Sequence, residues 1–200
     1  MDGSTHGFAP ARIGPNAVLQ LVPVLDRTVG RAARIRLMIG AGLFEMPDGT
    51  AMIDEGPVAR LHQHMRRDYP DLGPGMAGAA GRRTGDYIRV HRIPRPAQAL
   101  LRALPPPLSA RLLARAIARH AWTFAGSGRF RVASRAPVVF EIADNPLVRG
   151  EHAPAPVCHW HAGVFARLYT RLVAPDFTCI ETDCCATGAP ACRFVLTCAA

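Results

Sequence analysis

Lysine is absent from this chain of 200 residues: all 24 basic side chains are arginine, set against 15 Asp and Glu, for a formal net charge of +9. An arginine surplus can mark nucleic-acid binding, because the planar guanidinium grips phosphate oxygens in pairs. Here, however, Ala, Gly and Pro are plentiful while lysine is missing, which is the composition a GC-rich genome produces without selection for a ligand. Nucleic acid is therefore not assigned as a partner. The surplus still favours acidic partners, such as a carboxylate-bearing small molecule or an anionic membrane surface.

Long apolar runs are missing as well. A spanning helix needs about 20 mostly apolar residues, and the longest uncharged runs, residues 13–25 and 152–166, are shorter and contain proline. No transmembrane segment is expected. The opening Met1-Asp-Gly-Ser-Thr-His6 lacks the basic start and apolar centre of a secretory signal, which leads to the expectation of a cytoplasmic protein. Internal repeats and heptads are also absent. With 49% hydrophobic and 20% charged residues the chain can still bury a core.

A cofactor fingerprint is the next absence. Gly40-Ala-Gly42-Leu-Phe-Glu45 places Glu where a dinucleotide loop needs its third glycine, and it ends a helical pattern instead of following a strand. The run Gly75-Met-Ala-Gly78-Ala-Ala-Gly81 reads as tight helix packing. Cysteine spacing fits no iron–sulfur pattern.

Helical periodicity fills the first two-thirds. Pro15 opens an apolar segment over residues 17–25, and Thr28 is a candidate cap for a helix to about Leu43, with Ile35, Met38, Ile39 and Gly42 on one face. Val58, Leu61, His62, Met65 and Tyr69 recur at helical spacing up to Pro70, and one helix is read across residues 73–92. A short helix covers 97–104, and another runs from Leu108 to about Phe124, making six helices before any strand. From Gly126 the pattern changes to β-branched runs around Phe130–Val132 and Val138–Ile142. A helix over 157–172 follows, then strands at 177–182 and 192–197. The expected class is α+β: a helical N-terminal two-thirds packed on a C-terminal antiparallel sheet. Residues 1–12 read as a flexible lead and 13–200 as one domain, with a metal-binding module at about 150–198.

All six cysteines fall in the last 43 residues. In a reducing compartment that clustering points to metal before disulfides. Cys158, Glu181, Cys184 and Cys192 form the candidate ligand set: Glu181 leaves one strand, Cys184 follows three residues on, and Gly188-Ala189-Pro190 turns the chain to return Cys192. Cys158, at a helix start, supplies a fourth donor. The alternative is a group of buried thiols acting as small hydrophobes. Cys185 rivals Cys184, although neighbours on a strand face opposite ways. Cys179 and Cys198 read as core or surface thiols.

The pattern Glu-Thr-x-Cys-x-Ala-x-Gly-x-x-x-Cys-x-Phe over residues 181–194, with a Cys 23 residues before the Glu, resembles the 4-vinyl-reductase domain family. Residues 87–96, 120–130 and Asn145-Pro146 resemble its bacteriochlorophyll-biosynthesis members in particular, and the likeness spans nearly all of the chain after Arg12. It implies a structural zinc on Cys158, Glu181, Cys184 and Cys192, with no open position for chemistry. Also implied are a small-molecule site between helices and sheet, and a homodimer.

The family name claims reduction of a pigment vinyl group, which needs a hydride cofactor that no motif here supplies. The preferred reading is a protein that binds a magnesium tetrapyrrole intermediate of protochlorophyllide type. It would serve the C8-vinyl reduction stage of bacteriochlorophyll (chlorophyll) biosynthesis and present the pigment to pathway enzymes of photosynthesis. The alternatives are the 4-vinyl reductase itself, or a small-ligand sensor or scaffold. Candidate pigment contacts are His120, Trp122 and Phe124 from the long helix, and Trp160, His159 and His161 beside the zinc. Arg89, Arg92 or Arg95 would pair with a propionate. Each has a bland counterpart: a capping or core histidine, a core tryptophan, a solvated arginine face. Peripheral contact with the photosynthetic membrane is left open.

Overall fold

Proline and glycine set most of the breaks in the helical part. The computed structural model describes residues 11–198, so most of the expected N-terminal lead lies outside the described residues. Arg12 does not belong to that lead: it pairs in β1 (Arg12–Ile13) with β2 (Ile53–Asp54). The apolar segment after Pro15 is two helices, α1 (Asn16–Leu19) and α2 (Val22–Thr28), because the Pro23 ring would clash with the Leu19 carbonyl in one continuous helix. Thr28 ends α2 and caps nothing; Gly30, at φ 85°, turns the chain into α3 (Arg31–Ala41).

The buried face of α3 is Ala33, Leu37, Met38 and Ala41, while Ile35 and Ile39 are exposed. The face expected from periodicity is thus rotated, since Ala33 and Ala41 serve as well as isoleucine where neighbours approach closely. Gly42, at φ 80°, closes α3 in the left-handed conformation, so the Gly40–Gly42 run does end a helix. Helix α4 (Glu55–Asp68) is capped by Asp54, which accepts from Gly56 N at 2.9 Å, and it stops before Pro70.

Next come α5 (Gly73–His91), α6 (Arg95–Ala103), α7 (Pro106–Arg119) and α8 (Trp122–Ala125). Among the described residues, eight helices therefore precede the main sheet, not six. The helix expected to reach Phe124 breaks at His120, whose φ −113° and ψ 14° leave the helical region. The separate turn α8 drops Phe124 into the core, 5.3 Å from the Phe130 ring and 5.5 Å from that of Phe165.

Strands β3 (Arg129–Arg135), β4 (Val138–Ala143), β5 (Phe177–Asp183) and β6 (Ala191–Cys198) form an antiparallel sheet in the order β3-β4-β6-β5. Its inner face carries Val138, Phe140 and Ile142 from β4 and Cys192, Phe194 and Leu196 from β6. Helix α9 (His159–Leu172) lies between this face and α5. Phe165 and Tyr169 meet Phe140 on the sheet side, with ring centroids 4.9 and 6.2 Å away. On the other side the glycines of α5 let the helices touch backbone to backbone. A Cβ on Gly81 would overlap the Trp160 carbonyl oxygen, and one on Gly163 would come within 2.6 Å of Gly78 O. The glycine run thus serves close helix packing, and that contact holds the start of α9 at one end of the sheet.

Candidate metal centre

Four elements converge at that end. Cys158 stands at the N-terminus of α9, Glu181 on β5, Cys184 just beyond it, and Cys192 near the start of β6. A register irregularity between Glu181 and Asp183 adds a residue to β5, and Glu181 pairs across the sheet with the inward-facing Phe194. The result is a carboxylate on the inner face near the end of the strand. Gly188, at φ 91°, reverses the chain so that Cys192 comes back beside Cys184.

The sulfur separations are 3.4 Å for Cys158–Cys192, 3.8 Å for Cys184–Cys192 and 3.9 Å for Cys158–Cys184. Sulfurs at the corners of a tetrahedron, each about 2.3 Å from a central ion, stand about 3.8 Å apart. Glu181 completes the set, with ligand atoms of all four residues within 4.8 Å of one another. Its Oε2 accepts from Cys158 N at 2.6 Å, while Oε1 is buried without a hydrogen-bond partner among the described residues. An orphaned carboxylate oxygen beside three thiols is a donor set that fits a divalent cation.

Electrostatics point the same way. Burial pushes the Cys158 thiol up, and burial together with the nearby Cys184 raises Glu181 to about 8. Hydrogen bonds from Cys158 and Cys192 hold Cys184 well down. Without an ion the four groups settle for one negative charge; a dication would draw out the rest.

One partner of the centre was not anticipated from sequence. Asn145, fully buried, donates its side-chain amide to Cys158 Sγ at 3.3 Å and to Cys192 Sγ at 3.4 Å, while its Oδ1 accepts from Leu147 N. Asn145-Pro146 stands out in the sequence only as part of a resemblance; a polar residue closing a strand gives no hint of two sulfur acceptors. Cys192 also accepts from Cys185 N at 3.4 Å. Cys185 itself turns away, its sulfur 3.9 Å from Ile142 O, so Cys184 is the member of the pair in the cluster. Cys179 is half-buried on β5 and Cys198 exposed on β6.

The other candidate residues separate into two groups. Trp160 and His161 are buried side by side, ring centroids 4.9 Å apart, with His62 of α4 edge-on to Trp160 at 5.9 Å. His62 Nε2 donates to Ala17 O at 3.0 Å and His161 Nε2 to Phe124 O at 3.3 Å. Their Nδ1 atoms and the Trp160 N–H have no partner among the described residues. Burial lowers His62 to about 3 and His161 to about 4, so both rings are neutral. His159 is half-buried. His120 is exposed at the end of α7, and Trp122, in α8 and not in the long helix, is 59% exposed. Arg89 lies 4.0 Å from Asp86, while Arg92 and Arg95 are exposed. The space between α9 and the sheet is filled by Phe124, Phe130, Phe140, Phe165 and Phe194.

Known proteins place this arrangement. The 4-vinyl-reductase domain matches residues 138–198, the segment that holds the sheet from β4 onward, α9 and all four cluster residues. Over its length the chain is similar to two proteins called bacteriochlorophyll synthase 23 kDa chain. The one from Cereibacter sphaeroides is 54% identical over 185 residues, 92% of this chain and 90% of that protein. The one from Rhodobacter capsulatus is 48% identical over 196 residues, 95% of this chain and 92% of that protein. Among solved structures, the fold is similar to an Fe(II) unliganded H-NOX protein from K. algicida, with a TM-score of 0.59 at 8% identity, covering 94% of this chain and 97% of that one. An H-NOX protein from S. oneidensis gives 0.57 at 9% identity, covering 94% and 100%. These are likenesses of fold alone. The two relatives matched at 48 and 54% identity over nearly their whole length, together with the domain match across the sheet and cluster, establish that this chain belongs to the 4-vinyl-reductase domain family that includes the bacteriochlorophyll synthase 23 kDa chains.

Proposed function

We propose that the protein binds a magnesium tetrapyrrole intermediate of protochlorophyllide type and presents it to enzymes of bacteriochlorophyll synthesis at the C8-vinyl reduction stage. The names of the relatives support the pathway. The observation that carries the binding is the trio of buried, unpartnered ring nitrogens on His62, Trp160 and His161 beside an aromatic seam. Each leaves a polar atom unsatisfied, at a cost of about 1–3 kcal/mol. A ligand with both polar and flat apolar parts, entering where α9 meets the sheet, would relieve that cost and stack on the phenylalanines. His161 donates through Nε2, which leaves the lone pair of Nδ1 as a nitrogen ligand suited to magnesium. Solved structures of similar fold concern heme distortion and protein-induced porphyrin distortion, so this architecture accommodates a tetrapyrrole in those proteins.

The ion of the Cys158, Glu181, Cys184 and Cys192 centre is, in this reading, zinc. Three thiolates and one carboxylate fill a tetrahedron and leave no position for substrate, so the metal's role is structural. It ties the start of α9 to the β5–β6 hairpin and thereby holds Trp160 and His161 in place.

The test is incubation of the purified protein with divinyl protochlorophyllide and NADPH, followed by gel filtration and mass analysis of the extracted pigment. The expected result is pigment that co-elutes with the protein at unchanged mass, with retention lost in His161→Leu. A gain of two hydrogens that requires the protein would make it the reductase itself. Pigment that does not co-elute overturns the binding reading.

A further inference from the structure

Acidic residues are unevenly placed. Between Asp86 and Glu141 the chain holds ten arginines and no Asp or Glu. Three of the ten, Arg89, Arg129 and Arg131, reach carboxylates at or beyond the ends of this span. The arginines of α6 and α7 have none within ion-pair distance among the described residues.

Helix α7 concentrates the effect. Its buried side is Ser109, Ala110, Leu113, Ala114 and Ile117. At 100° per residue, the opposite side collects Leu108, Arg111, Leu112, Arg115 and Arg119 into one solvent-facing stripe. Leu108 is 51% exposed and Leu112 38%. Leu100 on the adjoining α6 is also exposed, as are the prolines 105–107 that join the two helices.

Leucines exposed among unpaired arginines gain nothing from water. We propose that the α6–α7 face is a docking surface for an anionic lipid bilayer. The arginines pair with lipid phosphates, while Leu100, Leu108 and Leu112 enter the boundary between headgroups and acyl chains. The flexible arginine stems allow the guanidinium groups to stay at headgroup level while the leucines sit deeper. Attachment is at the surface, since no helix among the described residues is long and apolar enough to cross a membrane. A duplex nucleic acid would use the arginines but leave the leucines idle, which is why the bilayer is favoured. The surface stands independently of the pigment reading.

The test is co-sedimentation of the full chain with vesicles of phosphatidylcholine, with and without phosphatidylglycerol, at low and high salt. Binding is expected only with phosphatidylglycerol and is weakened by salt. Replacing Arg111, Arg115 and Arg119 with Gln should lower partitioning about a hundredfold, on the scale of one lipid contact per arginine. The double variant Leu108→Ser/Leu112→Ser should lower it about tenfold or more. Replacing Arg31, Arg82 and Arg83 with Gln removes the same charge elsewhere and should leave binding within a few-fold. Unchanged thermal unfolding of each variant, read in parallel, separates loss of docking from loss of fold. No binding to phosphatidylglycerol vesicles overturns the proposal, as does equal loss in the Arg31/Arg82/Arg83 variant. Leucine variants that bind as well as the parent, with duplex DNA bound equally tightly, would mean a phosphate-binding surface and not a bilayer one.

Discussion

Asn145 and Cys192 lie 47 residues apart in the chain, and the buried amide of the first donates to the sulfur of the second at 3.4 Å. The same amide reaches Cys158, so one carboxamide steadies two of the three sulfurs. Asn145→Leu should lower metal affinity about 10–100-fold, the usual effect of losing a hydrogen bond to a ligand. Competition with a chromophoric zinc chelator measures it, and unchanged affinity would remove Asn145 from the centre.

Metal uptake should release protons. Cys158 is raised by burial and Glu181 sits at about 8, so both are protonated at neutral pH before an ion binds. Calorimetry in buffers of different ionisation heat should show release of more than one proton at pH 7, and affinity should climb as pH rises. Cys192→Ser should reduce bound zinc below one per chain and destabilise the fold; full occupancy in that variant would sink the ligand assignment.

Close contact between α5 and α9 makes Gly81 sensitive. A methyl group there overlaps the Trp160 carbonyl oxygen, and backbone cannot step aside as a side chain does. Gly81→Ala should destabilise by about 2 kcal/mol, which for a chain of this size lowers Tm by about 4–8 °C. Gly75→Ala, where nothing lies within 4 Å, serves as the control and should hold or gain stability.

The buried histidine of α4 sets a pH dependence. Burial lowers His62 from 6.5 to about 3, so the unfolded chain takes up a proton below pH 6.5 that the folded chain refuses. The stability from this group is therefore complete above pH 6.5 and falls as pH drops toward 3. Between pH 7 and pH 5 the loss is about 2 kcal/mol. Urea titrations at the two pH values check it, with His62→Gln expected to flatten the slope by that amount.

Much of this molecule is legible in local patterns. Proline fixes its own dihedral and has no N–H to donate, so Pro70 and Pro94 mark where helices stop. Alternating inward residues, such as Val138, Phe140 and Ile142, declare a strand through its twofold side-chain period. The candidate ligands Cys158, Glu181, Cys184 and Cys192 could be nominated because few residue types bind metals and these crowd one end of the chain.

Burial and convergence lay beyond local pattern. Ile35 and Ile39 look like core residues at helical spacing, yet Ala33 and Ala41 are buried instead, because the neighbouring helix and not the side chain's own hydrophobicity selects the face. His120 could have continued α7; the pull of Phe124 into the aromatic seam ended it. Composition and sequence by themselves determined the class of fold, the donor set and the arginine surplus. Tertiary structure alone decided that Asn145 caps two sulfurs, that Trp160 and His161 are buried while His120 and Trp122 face outward, and that five residues of α7 form one stripe. The reason is physical: dihedral preference and side-chain period act within a few residues, whereas burial and coordination depend on partners tens of residues away that only the packed chain brings into contact.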